Sequence, residues 1–318
     1  MHAIYSARNP FLIMSTVRPP SIDSVAARRW AERPIEWVHP SSPWLHEEVA
    51  RRMEARLAVI VQQPQTWVHW HPLQGGMQAH AMLTQRYPDS QCHVIEHTEQ
   101  QTQHAKKLLT PAWWRAERWR NPLPAFEVPA QPCNMVWANM ALHMASDPFA
   151  LLERWNSMLA VDGFVMFSCL GPDTLLELRK LYAQMGWRPP AHEFTDMHDW
   201  GDMLVQAGFA EPVMDMERIR LTYSSPVSLL DELRQLGKNL HAQRHPGLRG
   251  RVWRNNLYHA IGQQLQESSE NGRLSLTFEI IYGHAFKPVP RIKMQPKTTL
   301  SLEQMQSALR QSSVKTKK

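Results

Sequence analysis

NMVWANMALHM, residues 134–144, opens a strand–helix–strand unit. The run MVWAN at 135–139 is apolar and has the length of a strand. Asp147 and Pro148 then provide a helix N-cap with proline at the first helical position. A second apolar run follows that helix at 163–170. This order predicts a βαβ crossover with two buried, parallel strands.

The same alternation continues as far as Tyr223. One helix is predicted through Arg179, and another is capped at Asp196 and ends at Gly208, before a strand at 212–223. Strands and helices that alternate at this spacing form an α/β fold, in which helices cover both faces of a mainly parallel sheet. The sequence therefore predicts a layered α/β domain.

Four strings carry a more specific signal, namely NMVWANMALHM (134–144), LAVDGFVMFSCLGPDTLLELR (159–179), TDMHDWGDMLVQAGFAEPVMDMERIRLTY (195–223) and YGHAFKP (282–288). They resemble the malonyl-acyl-carrier-protein O-methyltransferases of biotin synthesis. The resemblance implies a Rossmann-like class I methyltransferase sheet of seven strands, with helices on both faces. It also implies S-adenosylmethionine as cofactor, and methylation of the free carboxylate of a malonyl thioester carried by an acyl carrier protein.

The predicted domain organisation follows from composition. A methyltransferase-like domain is expected over 21–290, between a disordered N-terminal segment at 1–20 and a disordered basic tail at 291–318. Within the domain, leucine periodicity predicts a two-helix lid at 226–272, inserted between the last two strands. The resemblance implies that the lid covers the acyl group.

The rim of the predicted lid is basic. Its cations are Lys238, Arg244, Arg249, Arg251 and Arg254. Because acyl carrier proteins are acidic, this rim is a candidate docking surface for one. A solvated, charged helix face is the alternative interpretation.

Composition limits the remaining classes of protein. The formal charge of +6 and the pI near 9.3 admit an acidic partner. No apolar stretch reaches the roughly 20 residues that cross a membrane. The start lacks the pattern of a signal peptide, with Met1 or Met14 as initiator, and three separated cysteines suit a reducing compartment. A cytoplasmic protein with no membrane partner is predicted.

The loop HPLQGGM at 71–77 departs from the resembled family. By the resemblance, an acidic residue corresponds to His71, and three glycines correspond to Leu73, Gly75 and Met77. Glycines at such positions let the backbone lie against the cofactor with no Cβ in the way. Leu73 and Met77 are therefore expected to place side chains in the path of the cofactor, while Gly76 can substitute for its neighbour.

The candidate cofactor-binding residues are Gly75, Gly76, Glu96 and Asn139. Glu96 ends the second predicted strand, where an acid can accept hydrogen bonds from both ribose hydroxyls. Before residue 134 the resemblance implies a further strand with its own acidic residue. The segment 121–133 contains four prolines, which oppose an ordinary central strand.

Two interpretations of the altered loop stay open. In the first, a divergent enzyme binds the same cofactor in a different way. In the second, a catalytically degenerate protein of the same fold binds acyl carrier protein or a partner enzyme without turnover. If the chain is an enzyme, the carboxylate oxygen attacks the sulfonium methyl in line, so the site needs proximity and a cation rather than a strong base. Arg179 is the candidate ligand of the substrate carboxylate.

Other residue clusters are assigned to structure rather than to ligands. The histidine pairs 69/71, 93/97 and 241/245 have metal-compatible spacing but no third or fourth ligand, so no metal site is predicted. Tryptophans at 113, 114 and 119 lie among arginines and could form a stacking platform for single-stranded nucleic acid. Packing over the sheet edge is the favoured interpretation, and no nucleic-acid partner is predicted.

Overall fold

The computed structural model describes residues 22–34, 42–114, 121–266 and 272–290. The chain divides after Lys287 into two units, of which the first contains all the secondary structure given below. The segments predicted to be disordered, 1–20 and 291–318, lie outside the described residues, as does Trp119.

The order of elements confirms the predicted alternation. The strands are β1 Thr66–Trp70, β2 Gln91–Ile95, β3 Cys133–Ala138, β4 Leu159–Leu170, β5 Ala210–Tyr223 and β6 Leu274–Phe286. The helices are α1 Ser24–Ala31, α2 Trp44–Arg56, α3 Pro72–Gly75, α4 Gln78–Arg86, α5 Glu99–Leu109, α6 Pro148–Met158, α7 Leu176–Gln184, α8 Met197–Gln206, α9 Pro226–Leu236 and α10 Arg251–Gln264.

The six strands form one sheet in the order β2-β1-β3-β4-β6-β5. Strands β2, β1, β3 and β4 run parallel to one another, whereas β6 is antiparallel to both of its neighbours. From β1 the chain goes outward to β2 and then returns to β3 on the other side of β1. The direction of the connections therefore reverses between β1 and β3, and such a switch point is where ligands of open α/β sheets bind. The α/β class and the Rossmann-like sheet predicted from the sequence are confirmed.

Both faces of the sheet are covered by separate layers of the core. Along β3, Met135 and Trp137 pack into one hydrophobic cluster, and Val136 and Ala138 pack into the other. Neighbouring side chains of a strand point to opposite faces, so a strand that is buried on both faces reads as a continuous apolar run. This explains why MVWAN contains no polar residue until the strand ends.

The sheet has one strand fewer than the resemblance implied. Beside β2, only a parallel bridge between His93 and Ala125 occupies the place of an outer strand in the described part of the chain. The Ala125 amide donates to the Cys92 carbonyl at 2.9 Å, and the Val94 amide donates to the Ala125 carbonyl at 2.8 Å. Prolines at 122 and 124 lack the N–H groups that would extend this ladder, which confirms the expectation drawn from the segment 121–133.

Two helices, α9 and α10, lie between the last two strands in sequence, as predicted. The Ser225 side chain caps α9 by accepting from the Ser228 amide at 3.2 Å, and Pro226 occupies the first turn. The function of these helices as a lid stays a prediction.

The packing interpretation of the tryptophan cluster is wrong for the two members that the structure describes. Trp113 and Trp114 are each 71% exposed and meet edge to face, with ring centroids 5.7 Å apart. The cysteines behave as expected, since Cys92, Cys133 and Cys169 are buried free thiols. Within the described ranges, no helix is long and apolar enough to cross a membrane, and no group of three or more potential ligands could hold a metal ion.

Candidate active site

A cavity of about 260 Å³ lies at the switch point of the sheet. We call it the loop cavity, because its wall includes the segments that follow β1, β2 and β3. Its lining residues are Ala27, Arg28, Trp30, Ala31, Trp70, His71, Gln74, Gly75, His97, Asn139, Met140, Ala141, Met144, Ala145, Ser146, Asp147, Leu151 and Arg154. Its position is the one that nucleotide cofactors occupy in folds of this class.

The loop after β1 is tightly wound. His71 adopts a left-handed conformation, with φ 49° and ψ 54°, and the one-turn helix α3 follows it. A Cβ added to Gly75 would lie 2.6 Å from the carbonyl oxygen of Asn139, and Gly76 has φ +128°, where side chains are strained. Both glycines are therefore required by the backbone of this loop. Gly75 lines the loop cavity, whereas Gly76 does not.

Asn139 holds the loop in place. Its amide nitrogen donates to the carbonyl oxygens of His46, at 2.8 Å, and of Gly75, and its amide oxygen accepts from the Ser168 hydroxyl at 2.6 Å. Asn139 is buried and lines the loop cavity, so one side chain joins α2, the glycine loop and β4. Its predicted contact with the cofactor stays a prediction.

The expectation that Leu73 and Met77 would obstruct the cofactor is wrong. Neither residue lines the loop cavity. Leu73 is 7% exposed and belongs to the hydrophobic core, and Met77 packs against the same core. Leu73 lies within the one-turn helix, whereas Met77 precedes α4, where its amide donates to the Glu47 carboxylate at 2.8 Å.

Glu96 has a structural contact that the sequence did not indicate. Its Oε1 atom accepts from the Leu73 amide at 2.9 Å, and its carboxylate does not line the loop cavity. Burial raises the pKa of Glu96 to about 8, against the opposing effects of the Leu73 amide and of Arg33. A contact between Glu96 and ribose hydroxyls stays a prediction, while the bond to Leu73 shows that Glu96 supports the loop.

We predict that Glu96→Gln removes a pH dependence of stability. In the unfolded chain Glu96 ionises near 4.5, whereas in the folded protein its pKa is about 8. Between these values the folded state holds more protons, so the free energy of unfolding falls as pH rises. The slope is at most about 1.4 kcal/mol per pH unit.

The measurement is denaturant unfolding from about pH 7 to about pH 8.5, above the ordinary range in which histidines titrate. Glutamine keeps an acceptor for the Leu73 amide but cannot ionise, so the variant should lose less stability across this range than the wild-type protein. Equal slopes for the two proteins would contradict a raised pKa of Glu96 in the folded protein.

The wall of the loop cavity carries more positive than negative side chains, together with aromatic rings. Arg28 and Arg154 line it, and Asp147 is the one carboxylate among its described lining residues. The Arg154 guanidinium lies 4.8 Å from the centre of the Trp70 ring. Burial lowers the pKa of His97 to about 4, so this ring is neutral at physiological pH. The cavity thus presents positive charge and aromatic faces, with one acid at the start of α6.

A second, smaller cavity of about 100 Å³ adjoins the first. We call it the helix cavity, because α7 and α9 contribute to its wall. Its lining residues are Leu45, His46, Met140, His143, Met144, Leu170, Thr174, Leu175, Leu178, Pro190, Ala191, His192, Phe194, Leu233, Leu236, Gly237, Lys238, Asn239 and Phe278. Met140 and Met144 line both cavities, so the two cavities are neighbours across the segment that follows β3.

Arg179 lies on α7 but lines neither the loop cavity nor the helix cavity. Its guanidinium donates to the carbonyl oxygen of Pro172, and its Nε atom is buried with no partner in the described part of the chain. In this arrangement Arg179 stabilises the GPDT turn. Its assignment to the substrate carboxylate stays a prediction.

Sequence reasoning missed several residues of the two cavities, above all Trp70, Asp147, Arg154 and the histidines of the helix cavity. One signal could have found the segment 140–144, because it directly follows the carboxyl end of a central parallel strand. The histidines come from distant parts of the chain and had no spacing to connect them.

Comparison with curated proteins identifies several similar chains. One is a malonyl-[acyl-carrier protein] O-methyltransferase of Gallionella capsiferriformans, which is 36% identical over 285 residues that cover 85% of this chain and 93% of the relative. Another is the protein of the same description from Nitrosospira multiformis, 34% identical over 287 residues that cover 85% of this chain and 91% of the relative. No family model matches the chain.

Among solved structures, a similar fold occurs in a protein of Bacillus halodurans described as a candidate methyltransferase. The TM-score is 0.50 at 12% identity, and the match covers 76% of this chain and all of the other. At this level of identity the likeness concerns the fold alone, and it agrees with the Rossmann-like sheet.

Proposed function

This chain belongs to the family of malonyl-[acyl-carrier protein] O-methyltransferases, and we propose that it transfers the methyl group of S-adenosylmethionine to the free carboxylate of a malonyl group on acyl carrier protein. The proposal places the reaction in the cytoplasm and requires neither a membrane nor a nucleic acid.

One structural observation supports this proposal most directly. The loop cavity at the switch point and the helix cavity share two wall residues, Met140 and Met144. Methyl transfer in line needs the donor and the acceptor to approach along one axis, held within van der Waals contact. Two adjoining cavities of different character meet this requirement, with the cofactor in the loop cavity and the acyl group in the helix cavity.

The residues of the loop cavity fit the proposed cofactor. The Gly75 backbone approaches the end of β3 closely enough that a Cβ would be only 2.6 Å from the Asn139 oxygen, so this wall is formed by main chain. Arg28 and Arg154 suit the methionine carboxylate, and Asp147 suits the ammonium group or ribose hydroxyls. Trp70 and Leu151 supply apolar surface for the adenine ring.

When bound, the cofactor supplies an electrophilic methyl group on a sulfonium ion. The chain's own residues need no strong base, because the acceptor carboxylate is already ionised at neutral pH. Their contribution is to hold donor and acceptor in contact and to exclude water at the junction formed by Met140 and Met144.

The test is an assay of the full chain with S-adenosylmethionine and malonyl-acyl carrier protein, in which formation of the methyl ester is followed by mass spectrometry. Calorimetry with S-adenosylhomocysteine, the demethylated product, measures the cofactor site separately. Ester formation together with product binding is expected. A folded protein that does not bind S-adenosylhomocysteine and forms no ester would contradict the proposal and restore the degenerate interpretation.

We propose that acyl carrier protein docks on the surface formed by the start of α10 and the segment that precedes it. Arg251 and Arg254 are exposed on α10, and Leu248 is fully exposed beside them. The Arg249 guanidinium lies 3.9 Å from the centre of the Trp253 ring. Positive charge around an exposed apolar residue complements an acidic carrier protein. Arg244 contributes less to this surface, because it pairs with Asp23 at 2.8 Å.

Charge reversal should separate docking from chemistry. We expect Arg251→Glu combined with Arg254→Glu to raise KM for malonyl-acyl carrier protein by about tenfold or more at low salt, because electrostatic attraction governs association. KM for malonyl-pantetheine, which lacks both the carrier protein and the phosphates of CoA, should change little. The matched control reverses Arg234, which pairs with Asp231 on α9. Equal effects on both substrates would contradict a docking role.

A further inference from the structure

Three buried histidines line the helix cavity, and no part of the proposed mechanism has yet used them. His46, His143 and His192 are 1%, 4% and 2% exposed, respectively. They come from α2, from the segment after β3 and from the segment before α8. The rings of His143 and His192 both pack on Phe194, with centroid distances of 6.0 and 4.8 Å.

Their hydrogen bonds leave ring nitrogens unpaired. His192 Nε2 donates to the His143 carbonyl at 2.9 Å, and the Nδ1 atoms of both His143 and His192 are buried with no partner among the described residues. His46 Nδ1 donates to the Gln74 carbonyl at 2.7 Å, which connects the helix cavity to the glycine loop. Unpaired buried nitrogen atoms are costly, so two of them in residues that line one cavity make these rings candidates for hydrogen bonds to a ligand.

The charge of the cavity defines that ligand. Lys238 lines the helix cavity, and its described lining residues include no Asp or Glu. Burial lowers the pKa of His46 and of His192 to about 4, and it lowers that of His143 as well. An anion placed among these rings would favour their protonation and turn the unpaired nitrogens into donors. The other polar side chains at this wall, Thr174 and Asn239, already have partners: Thr174 bonds to the backbone of Glu279, and the Asn239 amide nitrogen donates to the Pro189 carbonyl at 2.7 Å.

The size of the cavity suits a short acyl group. A volume of about 100 Å³ holds several water-sized atoms, because one water needs about 10–15 Å³ in the same measure. A three-carbon acyl group with a terminal carboxylate fits this space. Met140 and Met144, on either side of His143 in the sequence, border the loop cavity, so a carboxylate beside His143 would lie next to the methyl donor.

We propose that His143 and His192, together with Lys238, bind the free carboxylate of the malonyl group and orient one of its oxygens toward the methyl donor. This inference rests on the proposed function. The attacking oxygen forms the new C–O bond, and the electron pair of the S–CH₃ bond returns to sulfur, so no proton is transferred in the step. The ester product carries no negative charge, and its affinity for the histidines falls as it forms.

The test compares a ligand that has the carboxylate with one that lacks it. Binding of malonyl- and acetyl-acyl carrier protein to the full chain is measured by calorimetry in the presence of S-adenosylhomocysteine. His143→Leu should weaken malonyl binding by about ten- to a hundredfold, as expected for a hydrogen bond to a charged group, and leave acetyl binding unchanged. His143→Gln, which retains a donor, should restore part of the preference.

Two further variants complete the design. His80→Leu changes a histidine that lines neither the loop cavity nor the helix cavity, and it should leave the preference for malonyl intact. Lys238→Ala changes an exposed residue, so it tests the proposal even if His143→Leu fails to fold, and it should reduce the preference several-fold. An unchanged preference in folded His143→Leu, or in Lys238→Ala when the histidine variant does not fold, would overturn the assignment.

The outcome for the carboxylate site is separable from the outcome for the proposed function. If the wild-type chain prefers malonyl- to acetyl-acyl carrier protein but forms no ester, the carboxylate site stands and the methyltransferase proposal fails. If ester forms and His143→Leu has the KM of the wild-type protein, the function stands and the carboxylate site is wrong.

Discussion

Leu73→Ala should lower the free energy of unfolding by about 2–5 kcal/mol and should not improve cofactor affinity. By resemblance to the family, Leu73 occupies a glycine position, so its truncation would have been expected to open the site. The structure reverses this expectation, because Leu73 is 7% exposed within the core and does not line the loop cavity. Truncation would leave an internal cavity directly behind the glycine loop.

The measurement is denaturant unfolding, combined with calorimetry of S-adenosylhomocysteine binding. Met77→Ala is the matched control, since Met77 only packs against the outside of the same core and should cost less. If Leu73→Ala tightened cofactor binding while stability stayed unchanged, the side chain would have to face the cofactor, contrary to its burial in the core.

Gly75→Ala should destabilise the protein by about 1–3 kcal/mol and reduce cofactor affinity at the same time. The added Cβ would lie 2.6 Å from the Asn139 carbonyl oxygen, which is backbone and cannot rotate away. Relief of this clash requires the loop to move from β3, and the loop is bonded to the Asn139 side chain. Because Gly75 and Asn139 both line the loop cavity, its shape would change with them.

Gly247→Ala is the control for this substitution. No heavy atom lies within 4 Å of a Cβ built on Gly247, and its backbone is outside the left-handed region. Alanine there should leave stability and cofactor binding close to wild type. The effect of Gly75→Ala would then be assigned to the contact with Asn139, and equal effects of the two substitutions would contradict that assignment.

Much of the fold was predictable from local chemistry. The Asp147 cap and Pro148 mark the start of α6 at its observed position, and the Asp147 side chain does accept from the Ala150 amide at 3.0 Å. The run at 163–170 lies inside β4, and the strand predicted at 212–223 lies inside β5. The prolines of 121–133 correctly indicated that a strand would be missing, because a missing N–H group is a property of the residue itself.

The candidate site was less predictable, because its members are set by orientation. The resemblance placed Leu73 and Met77 in the path of the cofactor, but Leu73, in the single turn of helix after the left-handed His71, lies in the core, and Met77 packs against that core. Arg179 was chosen for its charge and its place after GPDT, yet its guanidinium bonds to the Pro172 carbonyl. Neither outcome could be derived from spacing alone.

The sequence by itself determined the class of fold, the order of the elements and the family, since caps, breakers, periodicity and motif strings act over a few residues each. Only the tertiary structure decided which side chains meet. His46, His143 and His192 lie almost a hundred and fifty positions apart at their extremes, and they share one cavity because separate elements pack around the end of β3. Contacts of that range depend on how layers pack, which no local pattern encodes.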